Sequence, residues 1–275
     1  MLKADKLTKK FTSKLGSITA VDNVSLEIKQ GQTLGLVGES GCGKSTLGRL
    51  LLRLIEPTAG KVYFDDTDLS FLSPSQLKKW RQQAQIIFQD PYASLNPRMT
   101  IEDIIAEPLI IHGIDHSSEL IIQSLEQVGL NPNARFQYPH EFSGGQRQRI
   151  CIARALILKP RFIVCDEPIA ALDVSVQAQI VNLLKELQQK LGLTYLFISH
   201  DLCMVNYIAD TVAVMHQGQI VERGPTQQIF SNPQHSYTQI LLSSIPQPPL
   251  FFDKPNPKFS SFLGSSNSVC IHLRS

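Results

Sequence analysis

One nonapeptide restricts this chain more than anything else in it. Gly38-Glu39-Ser40-Gly41-Cys42-Gly43-Lys44-Ser45-Thr46 fits the pattern G-x-x-x-x-G-K-[ST]. Before it, Thr33-Leu34-Gly35-Leu36-Val37 reads as a short buried strand; after it, Leu47 to Leu54 reads as a helix. A glycine-rich turn from strand into helix lets successive backbone N–H groups converge on an anion, and the helix N-terminus adds its partial positive charge. Lys44 is placed to reach β- and γ-phosphates, and the Ser45 hydroxyl to ligate Mg²⁺.

A second element fits the same chemistry. Phe162-Ile163-Val164-Cys165 is an unbroken apolar run that ends in Asp166-Glu167-Pro168. A strand buried on both faces has this pattern. It delivers Asp166 to its tip, where it can hold Mg²⁺, and leaves Glu167 to deprotonate an attacking water. A third is Ser143-Gly144-Gly145-Gln146, which opens the helical run Ile150 to Leu156. It reads as another anion-binding helix start and equally as a plain helix cap with Ser143 at its head. One nucleotide needs only one phosphate loop, so two such sites make sense if each nucleotide is held between two chains.

Other segments supply the frame. Alternating apolar residues over the first thirty positions suggest short strands, with turns at Gly16 and Gly31. Strands are expected at Lys61–Phe64, Gln85–Phe88 and Thr194–Ile198, with a hairpin over Thr211–Met215 and Ile220–Gly224. Residues from about 100 to 155 carry a helical period, and Gln177–Leu191 is an amphipathic helix. Strands alternating with helices imply a mainly parallel sheet covered on both faces. After Ile245 the prolines and serines of a tail begin, which reads as extended or disordered.

Bulk properties exclude several classes. A net charge of +2 is too small to argue for a nucleic-acid partner, and none is expected; no apolar run approaches the roughly 20 residues of a membrane span. The five cysteines are scattered and form no C-x-x-C pair, which points to a reducing cytoplasmic setting. His112 and His116 are four apart, but Gly113 between them favours a solvated loop over a metal pair.

Together these motifs, in their order and spacing, resemble the ATPase subunit of an ATP-binding cassette (ABC) transporter over about residues 1–245. The resemblance implies an α/β fold: a P-loop NTPase (RecA-like) core with an N-terminal antiparallel β subdomain and an inserted helical signature subdomain at roughly residues 90–158. Residues 246–275 form the tail. It implies that Phe11 stacks on adenine, although by residue type alone Phe11 reads equally as a core aromatic. Gln89 corresponds to the glutamine that contacts Mg²⁺ and water and senses the membrane partner. Phe142-Ser143-Gly144-Gly145-Gln146 resembles the signature motif, with Phe where Leu is commoner. Ala171-Leu172-Asp173 resembles the D-loop, preceded by Ala170 where Ser is usual. His200 corresponds to the switch histidine at the γ-phosphate; in isolation it is also a satisfied strand-end histidine. The implied cofactors are ATP and Mg²⁺.

Tyr92-Ala93-Ser94-Leu95-Asn96-Pro97-Arg98 and Ile229-Phe230-Ser231-Asn232-Pro233-Gln234-His235-Ser236-Tyr237-Thr238, with Ser236 where the family has Pro, narrow the resemblance to the di- and oligopeptide importers, with nickel and antimicrobial-peptide transporters as alternatives. Non-transport ABC ATPases are less similar, because no coiled coil or zinc module separates the nucleotide motifs. The implied partners are a second ATPase subunit, two transmembrane permease subunits and, indirectly, an extracytoplasmic peptide-binding protein. The implied location is the cytoplasmic face of the cell membrane. With Cys270 the only cysteine after Cys203, an iron–sulfur cluster is not expected.

Overall fold

A computed structural model describes residues 1–13 and 16–244 of the chain. Two long antiparallel strands come first, β1 (Leu2–Ser13) and β2 (Gly16–Ile28). Strand β3 (Thr33–Val37) leads through the glycine-rich loop into α1 (Lys44–Leu51). Next come β4 (Ala59–Phe64), β5 (Thr67–Asp68), α2 (Pro74–Arg81) and β6 (Ala84–Ile87). A helical stretch follows, with α3 (Pro91–Ser94), α4 (Ile101–His112), α5 (Ser118–Gln127) and α6 (Gly144–Leu156). The remainder alternates: β7 (Phe162–Asp166), α7 (Val174–Leu191), β8 (Thr194–Ile198), α8 (Leu202–Ile208), β9 (Thr211–His216), β10 (Gln219–Pro225), α9 (Thr226–Ser231) and α10 (Ser236–Ser243).

The strands form two sheets. One is antiparallel, in the order β2-β1-β4-β5; the other runs β10-β9-β3-β8-β7-β6. In the second sheet every pairing is parallel except that of β10 with β9. Strands β3, β7 and β8 are buried at every position, which is why they read as continuous apolar runs. Their alternate side chains enter separate cores. Phe162, Val164, Leu196 and Ile198 pack with α1 and the antiparallel sheet, through Leu47, Leu50, Leu2 and Leu26. Ile163, Cys165, Tyr195 and Phe197 pack with the helices, through Ile104, Ile150, Leu184 and Val205. A period of two along each strand thus covers both faces of the sheet. This is the α/β P-loop NTPase fold.

Several local expectations shift. The first thirty residues form two long strands rather than several short ones. Register irregularities between Ala4 and Leu7, Leu7 and Lys9, and Lys9 and Lys10 break their alternation into pieces. Helix α1 stops at Leu51 instead of Leu54 because Arg53 turns into the left-handed region, φ 49°, and its guanidinium is held by the Leu69 carbonyl and Glu56. The strand expected at Gln85–Phe88 lies one residue earlier, and α7 begins three residues before Gln177. The helical period from 100 to 155 is three helices. Gly113 ends the first with φ 66°, and short 3-10 turns at Pro132–Phe136 and Pro139–Glu141 precede the last. The Pro- and Ser-rich tail and Cys270 lie outside the described residues.

Candidate functional site

The tips of β3, β7 and β8 lie side by side, since β8 pairs with both β3 and β7. The chain leaves these tips through the glycine-rich loop, through Glu167 and through Ser199-His200. Ser45 and Asp166, 121 positions apart in sequence, therefore meet at the carboxyl end of the sheet.

Within the loop, Glu39, Ser40 and Gly41 are exposed at the crown, while Gly38, Cys42 and Lys44 are buried. Gly43 has φ 109°, and a Cβ there would overlap the carbonyl of Ala20 on β2. The loop can therefore lie against the strand only with glycine at this position. Lys44 is 4% exposed, and its ammonium donates to the carbonyls of Gly38 and Glu39, both at 2.8 Å. The loop is thus wrapped around its own cation. Thr46 lies in the first turn of α1 beside Ser45.

The Ser45 hydroxyl donates to Asp166 Oδ1 at 2.7 Å. Asp166 is 4% exposed, and burial raises its pKa despite the Ser45 hydrogen bond and the nearby Arg49 and Lys44 cations. A buried carboxylate whose charge is disfavoured would be relieved by a dication. With a serine hydroxyl beside it, the donor set is all oxygen and fits Mg²⁺, which takes few protein ligands when phosphates supply others. Ser45 and Asp166 would hold it.

Glu167 follows directly, with φ 48°, and its N–H extends the β7–β8 ladder to the Ile198 carbonyl at 3.0 Å. Its side chain is a meeting point. Gln89 Nε2 donates to Glu167 Oε2 at 3.0 Å, and His200 Nδ1 lies 3.4 Å from the same oxygen. Gln89 lies in the turn between β6 and α3, and His200 in the turn after β8. Of the residues singled out from the sequence, Ser45 is thus bonded to Asp166, Gln89 and His200 meet at Glu167, and Lys44 is held by carbonyls of its own loop.

The other expected residues lie elsewhere. Ser143 N-caps α6 in a reciprocal box with Gln146: Gln146 N–H donates to Ser143 Oγ at 3.3 Å and Ser143 N–H to Gln146 Oε1 at 2.9 Å. Gly144 lies against Leu172, and a Cβ on Gly145 would overlap Val176 of α7. Among the described residues, Ser143, Gly144, Gly145 and Gln146 make no hydrogen bond to Lys44, Ser45, Asp166, Glu167 or His200 of their own chain. Phe11 is 47% exposed and pairs with Ile18 across the ribbon, with the Lys9 ammonium 5.1 Å from its ring centre. The ribbon brings it near Ala20, where β2 passes the loop.

Some participants were not anticipated. The Arg147 guanidinium stacks 3.9 Å over the Tyr92 ring while its Nε donates to the Pro139 carbonyl, and Arg154 donates to the Ser94 carbonyl at 2.6 Å. Helix α6 is thus clasped to the segment that follows Gln89. No local pattern announces such pairs, which are separated by 55 and 60 positions in sequence.

The family model described as ABC transporter matches residues 21–170. A second, described as the C-terminal region of oligopeptide/dipeptide transporters, matches residues 221–255. The oligopeptide transport ATP-binding protein OppF of Bacillus subtilis (strain 168) is 54% identical over 253 residues, covering 90% of this chain and 83% of that protein. The oligopeptide transport ATP-binding protein AppF of the same organism is 53% identical over 240 residues, 86% of this chain and 73% of that one. Among solved structures, the post-hydrolysis dimer of the ATP-binding cassette MJ0796 bound to ADP and Pi aligns with a TM-score of 0.74 and 31% identity. It covers 82% of this chain and 99% of that one.

Proposed function

The chain belongs to the ABC transporter ATPase family, and on that premise we propose that it is the motor subunit of a membrane importer for di- and oligopeptides. The observation that carries the catalytic half is the carboxylate pair at the tip of β7, with Ser45 on Asp166 and Gln89 with His200 on Glu167. The peptide half is supported by the matched C-terminal region and by the names of the relatives.

In the cycle we propose, the loop amides and Lys44 bind the β- and γ-phosphates, and Phe11 stacks on adenine. When bound at Ser45 and Asp166, with Gln89 nearby, Mg²⁺ would neutralise charge on the phosphate oxygens. Glu167 Oε2 takes a proton from water as that water attacks the γ-phosphorus. The bond to the β,γ-bridging oxygen breaks, and ADP and phosphate are released. Gln89 and His200 hold the carboxylate and the water in line. Gln89, Glu167, His200 and Lys44 are thus the proposed catalytic set.

Among the described residues the Ser143–Gln146 turn makes no hydrogen bond to its own chain's phosphate loop, and it starts helix α6. It would cap the nucleotide of a second ATPase subunit, a reading supported by the dimeric state of the similar MJ0796 cassette bound to ADP and Pi. Among the described residues no helix is long and apolar enough to cross a membrane. We place the subunit at the cytoplasmic face of the membrane on two permease subunits, with residues of roughly 90–158 as the contacting arm, a reading supported by its kinship with oligopeptide transport ATP-binding proteins. A binding protein on the far side would deliver the peptide.

The test is reconstitution of the chain with its co-purified membrane partners, followed by uptake of labelled di- and pentapeptides and of Ni²⁺. ATP-dependent peptide uptake is expected. Uptake of Ni²⁺ with none of peptide would overturn the peptide assignment while leaving the ATPase assignment in place.

A further inference from the structure

The C-terminal end of the described chain reaches back to the phosphate loop through one side chain. Tyr237, in the first turn of α10, accepts a hydrogen bond at its hydroxyl from the backbone N–H of Glu39, at 3.0 Å across 198 positions of sequence. Its ring packs on His216 at the end of β9, centres 3.9 Å apart, and the side chain is 8% exposed. The adjoining carbonyl of Met215 is what a Cβ on Gly38 would strike. The end of β9, the start of the loop and the start of α10 therefore meet at one point.

The bond has a specific geometric consequence. The N–H of Glu39 and the C=O of Gly38 belong to one planar peptide unit. Lys44 Nζ donates to that C=O at 2.8 Å. The unit is thus held on one edge by the lysine and on the other by Tyr237. Rotating the plane would break either bond, so the tyrosine hydroxyl fixes the surface against which the Lys44 ammonium rests.

Tyr237 is itself held. The Glu222 carboxylate on β10 accepts the N–H groups of Gln234 at 2.8 Å and His235 at 3.0 Å. His235 Nδ1 then accepts the N–H of Tyr237 at 3.1 Å as the cap of α10. This Glu222–His235–Tyr237 series runs from the sheet to the loop without a gap. Burial opposes the charge on Glu222, yet the hydrogen bonds from the backbone N–H groups of Gln234 and His235 hold its carboxyl below the usual range.

We propose that Tyr237 is a positioning residue of the nucleotide site: through the Gly38–Glu39 peptide it sets the resting position of Lys44, so the segment after β10 governs ATP affinity. It touches no reacting atom. The effect belongs to binding, because the peptide it holds is part of the loop in ground state and transition state alike.

The test uses the full-length chain and two variants, Tyr237→Phe and Tyr237→Leu. Y237F keeps the ring on His216 and removes the acceptor, leaving the Glu39 N–H unpaired. Titration with N-methylanthraniloyl-ATP is expected to show affinity weakened about three- to tenfold in Y237F, the worth of one hydrogen bond at a partly buried donor. Amide exchange at Glu39, followed without nucleotide, is expected to quicken by about tenfold, while the thermal midpoint stays close to wild type. In turnover assays KM for ATP should rise by more than kcat falls. Wild-type affinity and wild-type Glu39 exchange in Y237F would overturn the proposal. So would weakening confined to Y237L, because the ring stack and not the hydroxyl would then carry the effect.

Discussion

Gln89 and Glu167 come from different strand ends and share one hydrogen bond, from Gln89 Nε2 to Glu167 Oε2 at 3.0 Å. His200 approaches the same oxygen. As the proposed general base, Glu167 has its Oε2 flanked by the Gln89 amide on one side and the His200 imidazole on the other. Replacing Glu167 by Gln keeps the volume and removes the proton acceptor. Steady-state phosphate release should fall by about 10²- to 10⁴-fold, the usual contribution of one general base. ATP binding should persist, and size-exclusion chromatography with ATP should show a trapped dimer. Hydrolysis at the wild-type rate would remove Glu167 from the role of base.

Lys44 tests the loop. Its two carbonyl contacts show how tightly the loop folds around a cation, and a phosphate offers the same ammonium stronger, charged acceptors. Lys44→Ala should weaken ATP binding by about ten- to a hundredfold, as expected for losing a charge-assisted hydrogen bond. Calorimetric titration with ATP measures this, and unaltered affinity would contradict the assignment.

Gly145 tests the packing of the signature turn. A methyl group there overlaps Val176 Cγ1, so Gly145→Ala must push the start of α6 away from α7. A loss of about 1–3 kcal/mol in urea denaturation is expected, as for other overpacked sites. Val176→Ala in the same chain should return most of it. Absence of coupling between the two substitutions would show that the helices do not meet as described.

Asp166 makes a prediction about pH. Its folded pKa is raised by burial above the ordinary 3.8, so between those two values the folded chain binds more protons than the unfolded one. Stability contributed by this group therefore falls as pH rises through that window, and the deficit persists above it. Asp166→Asn removes the titration while leaving an oxygen for the Ser45 hydroxyl. Without nucleotide, D166N should be more stable than wild type at neutral pH, with the gap closing as pH falls below the window. Mg²⁺-dependent hydrolysis should be lost in the same variant. Equal denaturation midpoints at neutral pH would refute the account of Asp166.

How far the sequence alone reached depended on how local the signal was. Strands β3 and β8 lie where the residues place them, since burial on both faces gives apolar runs with sharp ends. The β1–β2 ribbon was read as fragments because its irregular register interrupts the alternation. Helix α2 was missed, although Ser73-Pro74-Ser75-Gln76 carries a capping box and a proline in its first turn. Only Trp80 of that helix is buried, so it has almost no apolar stripe to read. The six polar residues proposed for the site, which follow β3, β6, β7 and β8, could be singled out because each lies at the end of a recognisable strand or motif. The Tyr237–Glu39 and Arg147–Tyr92 contacts were not. They depend on how distant elements pack, which no window along the chain contains.

The backbone at Glu167, with φ 48°, prefers a residue with no side chain. The proposed chemistry needs a carboxylate in the same place, so fitness for folding and fitness for turnover oppose each other at this single codon. Glu167→Gly should be at least as stable as Glu167→Ala despite glycine's entropic penalty, because only alanine retains the steric conflict. A screen of variants for heat resistance alone would then enrich inactive chains at position 167, and an engineer seeking a sturdier motor should leave this residue untouched.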